Sequence, residues 1–285
     1  MSVREQLDWE SRWAKPVAGA AFLSVGFTIA ASLYVSASID TTPDADNTRE
    51  LLRTVDSHGD VFVTGAVLSG IGGLLLAVVL WYLYHAVKAR RPDFQKAALV
   101  LAILGPVLLA LAGILVQLDL VDRAGEFLAS GAQTEKRADD LVADRPALVQ
   151  SLGLSGALAL AFATIMISQN AMRVGLLTKF LGILGIVVGA LYVLGTIFPL
   201  GTDVIRLFWL VAVGLVILGL WPGGRGPSWE TGEPEEWLSL AQRRALEQAA
   251  EEEQADVAPT NGNGDGANDE PTRTRSPRKR KKKRR

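Results

Sequence analysis

The stretch Val61–Tyr84, VFVTGAVLSGIGGLLLAVVLWYLY, runs for 24 residues without a charged side chain. An α-helix rises ~1.5 Å per residue, so about 20 residues cross a hydrocarbon layer of roughly 30 Å. Five more charge-free runs accompany it: Pro16–Ile39, Ala97–Leu118, Ala147–Met172, Phe180–Thr202 and Leu207–Gly224, each at least 18 residues long. Six such runs in one chain of 285 residues do not fit inside a water-soluble core. The expected fold class is all-α, a six-helix transmembrane bundle.

Orientation follows from the cations in the connections. His85–Lys96 holds Lys88, Arg90, Arg91 and Lys96 against one acid, Asp93, and Arg173 and Lys179 flank the next connection on that side. On the other side Asp40–Asp60 carries six acids and two bases, and Asp119–Pro146 seven acids and four bases. This asymmetry predicts N-in/C-in topology, with both termini cytoplasmic. Val35-Ser36-Ala37 has the small residues of a signal-peptidase site, but the run before it is longer than a signal core. Glu5, Asp8 and Glu10 also cancel the three bases of the leader, so the first helix is expected to be retained.

Four segments result. Residues 1–15 form a cytoplasmic interfacial leader and 16–224 the six-span membrane domain. Residues 225–254 form a linker and an acidic amphipathic helix opened by Pro234, and 255–285 a disordered linker with a polybasic tail. Trp9, Trp13, Trp81, Tyr82, Tyr84, Trp209 and Trp221 sit near run ends, where aromatic rings favour headgroup depth. In the outer connections NTRELLRTV and VDRAGEFLAS are expected as short amphipathic stretches on the membrane surface.

Helices in lipid associate by close packing rather than by apolar burial, so small residues at helical spacing mark candidate seams. Gly65, Ser69 and Gly73 form one such stripe, Ser151 and Ser155 a second, and Gly185 and Gly189 a third. Gly105-Pro106 is expected to kink the third span. Ser24, Thr28 and Ser32 make a mildly polar face on the first helix, whose hydroxyls can bond to carbonyls one turn back.

The chain has no cysteine and only two histidines, His58 and His85. Thiolate metal sites, disulfides and cysteine nucleophiles are excluded, and no metal or cofactor is expected. Gly153-Leu154-Ser155-Gly156 resembles the Gly-x-Ser-Gly signature of rhomboid intramembrane proteases, which activate that serine with a histidine on the sixth helix. The run from Leu207 contains no histidine. A serine without an adjacent base is a poor nucleophile, and no enzymatic activity is expected. No ionisable residue lies in the middle of any run, which disfavours ion-coupled pumping. Passive or facilitated movement of a small uncharged solute stays open, and a polar cavity between the first, second and fourth spans would support it.

Ten of the last thirteen residues are basic: Arg273, Arg275, Arg278, Lys279, Arg280, Lys281, Lys282, Lys283, Arg284 and Arg285. Taking these from the 29 basic residues leaves 19 against 30 acids, so the charge is segregated rather than generally basic. A cytoplasmic tail of this kind has anionic lipid headgroups as its nearest partner, at ~1 kcal/mol per cation. Nucleic acid or the ribosome is an alternative partner, although no aromatics interleave the cations for base stacking, and a solvated tail is a third. The primary reading is a non-enzymatic structural or interaction protein.

The segment Asn170-Ala171-Met172-Arg173-Val174-Gly175-Leu176-Leu177, followed by Lys179-Phe180-Leu181-Gly182, resembles uncharacterised bacterial multi-pass membrane proteins grouped as domains of unknown function. The resemblance spans roughly the six runs. It implies a bacterial inner-membrane location and no particular activity.

Overall fold

The computed structural model describes residues 2–39, 47–129, 131–197 and 203–235, with Trp237, Ala245, Gln248 and Ala249. All regular structure among these residues is helical: α1 Val3–Ser38, α2 Thr48–Ser57, α3 Gly59–Arg90, α4 Ala97–Ala129, α5 Glu135–Ala143, α6 Ala147–Arg173, α7 Lys179–Ile197, α8 Asp203–Leu218 and α9 Ser228–Thr231. Four of them, α1, α3, α4 and α6, are long and apolar enough to cross a membrane. The runs from Phe180 and Leu207 fall on the shorter α7 and α8, of 19 and 16 residues. In α4 only 22% of the most apolar stretch is buried, although no other span candidate is more apolar. Outward faces built from Val100, Ile103, Leu104, Val107 and Leu111 need a non-aqueous surrounding.

The leader, residues 1–15, is helical from Val3 and continuous with the first apolar run. Ser2 caps α1 through its side chain, and Glu5 returns a hydrogen bond to the Ser2 backbone, 2.7 Å, in a capping box. The bonds from the Ser2 backbone and side chain hold the Glu5 carboxyl below its ordinary pKa. From there α1 continues through Pro16 to Ser38. A proline is tolerated in such a helix when neighbouring helices hold both sides of the break, and the turns on either side of Pro16 are buried at Ala14, Val17 and Ala18.

VDRAGEFLA, residues 121–129, likewise forms the last turns of α4 rather than a surface stretch. With 33 residues, α4 is about 50 Å long and outruns a hydrocarbon layer. Its projecting end packs on α2 and α5 through Leu52, Val55, Ala124, Phe127 and Ala138, a hydrophobic cluster separate from the main core. The amphipathic stretch around Leu51 does form a helix, α2, capped by Asn47. The helix expected after Pro234, the linker and the basic tail lie outside the described residues, apart from the few positions named above.

The six long helices close into a ring in the order α1, α3, α4, α6, α7, α8 and back to α1. Two close approaches set its spacing. A Cβ on Gly105 would stand 2.6 Å from the Leu160 nitrogen, and one on Gly156 would stand 2.9 Å from the Leu109 nitrogen. The backbones of α4 and α6 therefore touch where both helices lack a side chain. The helix α4 runs unbroken through Pro106.

Gly105→Leu should cost about 1–3 kcal/mol or more, because backbone rather than a movable side chain blocks the new atoms. Gly73→Ala, with nothing within 4 Å of its Cβ, should instead stabilise by up to about 1 kcal/mol. Thermal unfolding of both variants in the same micelle checks the contrast.

Candidate functional site

The bundle has two different halves, named here by the ends of α1. At the Val3 end a single apolar core is filled by Val17, Ala21, Leu80, Leu83, Ala171, Leu177 and Val213, among others. Within it sits a buried ion pair. Arg90, at the end of α3, donates from Nη1 to Glu10 Oε1 at 2.5 Å and from Nη2 to Glu10 Oε2 at 3.0 Å. The two side chains are 0% and 2% exposed.

Two charges out of water are costly unless every donor and acceptor is matched. Here they are. Arg90 Nε donates to Ser228 Oγ at 2.6 Å, Nη2 to the Ser228 carbonyl at 2.5 Å and Nη1 to the Ala86 carbonyl at 2.9 Å. Glu10 also accepts from Gln6 Nε2 at 2.9 Å, and Tyr82 donates to the Glu10 carbonyl at 2.9 Å. The Tyr82 ring lies stacked between Trp9 and Trp229, with centroids 5.5 and 5.8 Å away. Trp229 donates to the Leu176 carbonyl at 2.9 Å. One node thus ties α1, α3, α9 and the turn after α6, and brings the start of α1 and residues 228–235 to the same end of the bundle.

The aromatic residues therefore divide. Tyr82 and Trp209 are buried hydrogen-bond donors inside the bundle rather than headgroup anchors, and Trp209 donates to the Leu181 carbonyl at 3.1 Å. Trp13 is exposed. His85 faces the Trp81 carbonyl at 2.9 Å through Nδ1 and packs against Trp9, Trp81 and Tyr84. That is a packed ring, far from Ser155 on the exposed face of α6.

At the Ser38 end the bundle is hollow. A half-open cavity of about 630 Å³ is bounded by the second half of α1, the first half of α3, the middle of α4 and the start of α8, with Leu160 and Tyr192 completing it. This corrects the expected walls: the fourth run, on α6, contributes only Leu160, and α4 and α8 take its place. Leu76, Leu160, Trp209 and Leu210 belong both to the core and to the lining, so they form the cavity floor. The volume is that of a small-molecule site, typically ~300–1,000 Å³.

Its polar groups are graded along the axis. Near the floor, Ser24 Oγ donates to the Gly72 carbonyl at 2.6 Å across the α1–α3 contact, and Thr28 donates to the Ser24 carbonyl at 2.9 Å. Both hydroxyl donors are engaged. Further towards the Ser38 end, Ser32, Ser36 and Ser69 line the cavity with no partner among the described residues, and Gln117 Oε1 is buried without one. Asp203 and Arg206 stand at the rim, paired with each other, and the Arg206 guanidinium covers the Tyr192 ring at 5.1 Å.

The predicted packing residues fall in different places. A Cβ on Gly65 would press on Val35 at 2.6 Å, one on Gly185 would meet Ser168 and Trp209, and one on Gly189 would meet Ile165 and the Ala161 carbonyl. Ser69 and Gly73 line the cavity instead, and further close contacts of that helix are made by Gly70 against Ala110 and Gly72 against Ser24. Ser151 and Ser155 are exposed, while Gly156 makes the contact on α6. The ten tail cations from Arg273 to Arg285 lie outside the described residues. Among those described, no cluster of histidine, aspartate or glutamate could hold a metal ion.

Glu10, Arg90 and Ser228 were not singled out from the sequence. Glu10 and Arg90 read there as flanking charges that set topology, and the available signal was weak: a glutamate one turn after Gln6, between Trp9 and Trp13, inside a helix that leads into a span.

Long apolar helices packed through glycine and alanine, with a cavity between them whose acidic and basic residues pair with each other, define a helical membrane protein. The chain belongs to the family described as Domain of unknown function (DUF4386), whose model matches residues 17–221. No curated protein and no solved structure matches it.

Arg90→Met alone should cost about 3–5 kcal/mol by leaving Glu10 charged and unpaired. Adding Glu10→Leu should recover most of that loss. Unfolding of the single and double variants in micelles measures the difference.

Proposed function

We propose that this protein is a six-span protein of a bacterial inner membrane, with both termini cytoplasmic, that binds a small uncharged solute in the cavity and facilitates its movement without covalent chemistry. The one observation that carries the reading is the hollow half of the bundle beside a solid one. Its interior holds hydroxyl and amide groups, and among the described residues its charges are a rim pair that neutralise each other. An ionised solute would lose its water and gain no counter-charge there, whereas a neutral one exchanges water for Ser32, Ser69 or Gln117. The solid half fits alternating access better than an open pore, because passage requires the floor at Leu76 and Leu210 to part.

Six spans are favoured because α7, about 28 Å long, and α8, about 24 Å, complete the ring with the four longer helices. Both are apolar, and the connections at the Val3 end, with Lys88, Arg91 and Arg173, hold an excess of cations, whereas those at the Ser38 end hold thirteen acids against six bases.

A second reading concerns the tail and rests on one feature, the ten cations between Arg273 and Arg285. It makes the C-terminus a tether to anionic headgroups, a role that can coexist with the cavity.

Proteoliposomes containing the full chain should equilibrate glycerol or urea faster than empty vesicles in a shrink–swell assay, with no dependence on a proton or sodium gradient. Equal rates would remove the transport reading. For the tail, trypsin should cleave after Arg273 more slowly in discs containing phosphatidylglycerol than in phosphatidylcholine discs. The protection should vanish at about 1 M salt, where the screening length falls to ~3 Å.

A further inference from the structure

We infer that the cavity is built for a neutral amphiphile, with a hydroxyl-bearing head at the Ser38 end and a hydrocarbon body on the floor. The inference rests on the reading of the cavity as a binding site and adds the chemical class of its occupant.

Three properties of the lining lead there. The first is shape. On α3 the lining extends from Phe62 to Leu76, which at ~1.5 Å per residue is about 21 Å along the helix axis. A volume of about 630 Å³ spread over that length describes an elongated space rather than a compact one.

The second is the order of polarity. At the deep end the Ser24 and Thr28 hydroxyl protons are already donated to backbone carbonyls, and the remaining surface is Leu76, Leu160, Trp209 and Leu210. A hydroxyl placed there would find no free donor, only the acceptor lone pairs of Ser24 and Thr28, whereas hydrocarbon needs neither. Nearer the Ser38 end, Ser32, Ser36, Ser69 and Gln117 Oε1 have no partner among the described residues. An unpaired carbonyl oxygen accepts and never donates, so the group it fits is an O–H or N–H donor.

The third is charge. Asp203 and Arg206 bind each other, and among the described residues no other acidic or basic side chain lines the space. A carboxylate or ammonium head would have to break that pair or stay without a counter-ion. A neutral head, such as the glycerol of a monoacylglycerol, needs neither.

Two glycines make the idea testable. Gly73 and Gly113 line the cavity, and a Cβ on either meets nothing within 4 Å. A phenylalanine at either position has room at its base and fills the space with its ring.

The full chain is placed in phosphatidylcholine nanodiscs doped with monolaurin, lauric acid or dodecylamine, released, and weighed by native mass spectrometry. One monolaurin should be retained by the wild type, and neither of the two charged probes with the same chain. Gly113→Phe should lower retention at least tenfold, and Gln117→Leu about tenfold, the scale of one hydrogen bond. Ser155→Phe, on the exposed face of α6 away from the cavity, should leave retention unchanged. Gly73→Phe replaces Gly113→Phe if the latter does not fold. Retention that is indifferent to both phenylalanines, or equal for all three probes, would overturn the inference by assigning the signal to surface lipid. Glycerol flux without monolaurin retention would overturn the amphiphile and leave the cavity reading standing. Absence of both would remove the cavity reading as well.

Discussion

The bidentate pairing of Arg90 with Glu10 is the contact on which the arrangement of this bundle depends. It joins residues 80 positions apart and fixes the rotation of two long helices about their axes as well as their distance. A guanidinium accepts a carboxylate in few orientations, so α1 and α3 are locked in register at the Val3 end. Ser228 adds the third side of the lock by taking the remaining edge of Arg90. The three elements held there include the two helices that wall most of the cavity some 20 residues further on.

The two halves of the bundle then follow from side-chain size. At the Val3 end, α3 presents Leu76, Leu80, Leu83 and Val87, large enough to fill the ring. Towards the Ser38 end the same helix presents Gly65, Gly70, Gly72 and Gly73. Three of these are consumed by close contact, Gly65 and Gly72 with α1 and Gly70 with α4. Gly73 is not, and the missing volume there is part of the hollow. The change from leucine to glycine along one helix thus becomes a change from solid to empty along the bundle axis.

Length and lack of charge are local properties, which is why the membrane class could be read from stretches such as Val61–Tyr84. The polar face of α1 was readable for the same reason, since Ser24, Thr28 and Ser32 repeat every fourth residue. The contacts between helices were not. A spacing of four fits the stripe Gly65–Ser69–Gly73 as well as it fits close packing, and only the rotational setting of α3 decides which glycines touch a neighbour. That setting comes from Glu10 and Arg90, whose partnership no local pattern announces. The identity of the third wall of the cavity was lost in the same way. The residues Ala110, Gly113 and Gln117 show no distinctive period within an apolar run.

The backbone at Gly175, the turn between α6 and α7, has φ near +76° and carries the Glu235 carbonyl so close that a Cβ would lie 1.7 Å from it. The missing methyl group lets the strand of chain beyond α9 lie flat against that turn, where Glu235 N also faces the Val174 carbonyl at 3.4 Å. Traction on the chain beyond Glu235 would therefore load Trp237, buried against Gly226, and with it the elbow joining α6 and α7. Whatever grips the extension has a mechanical handle on the bundle itself.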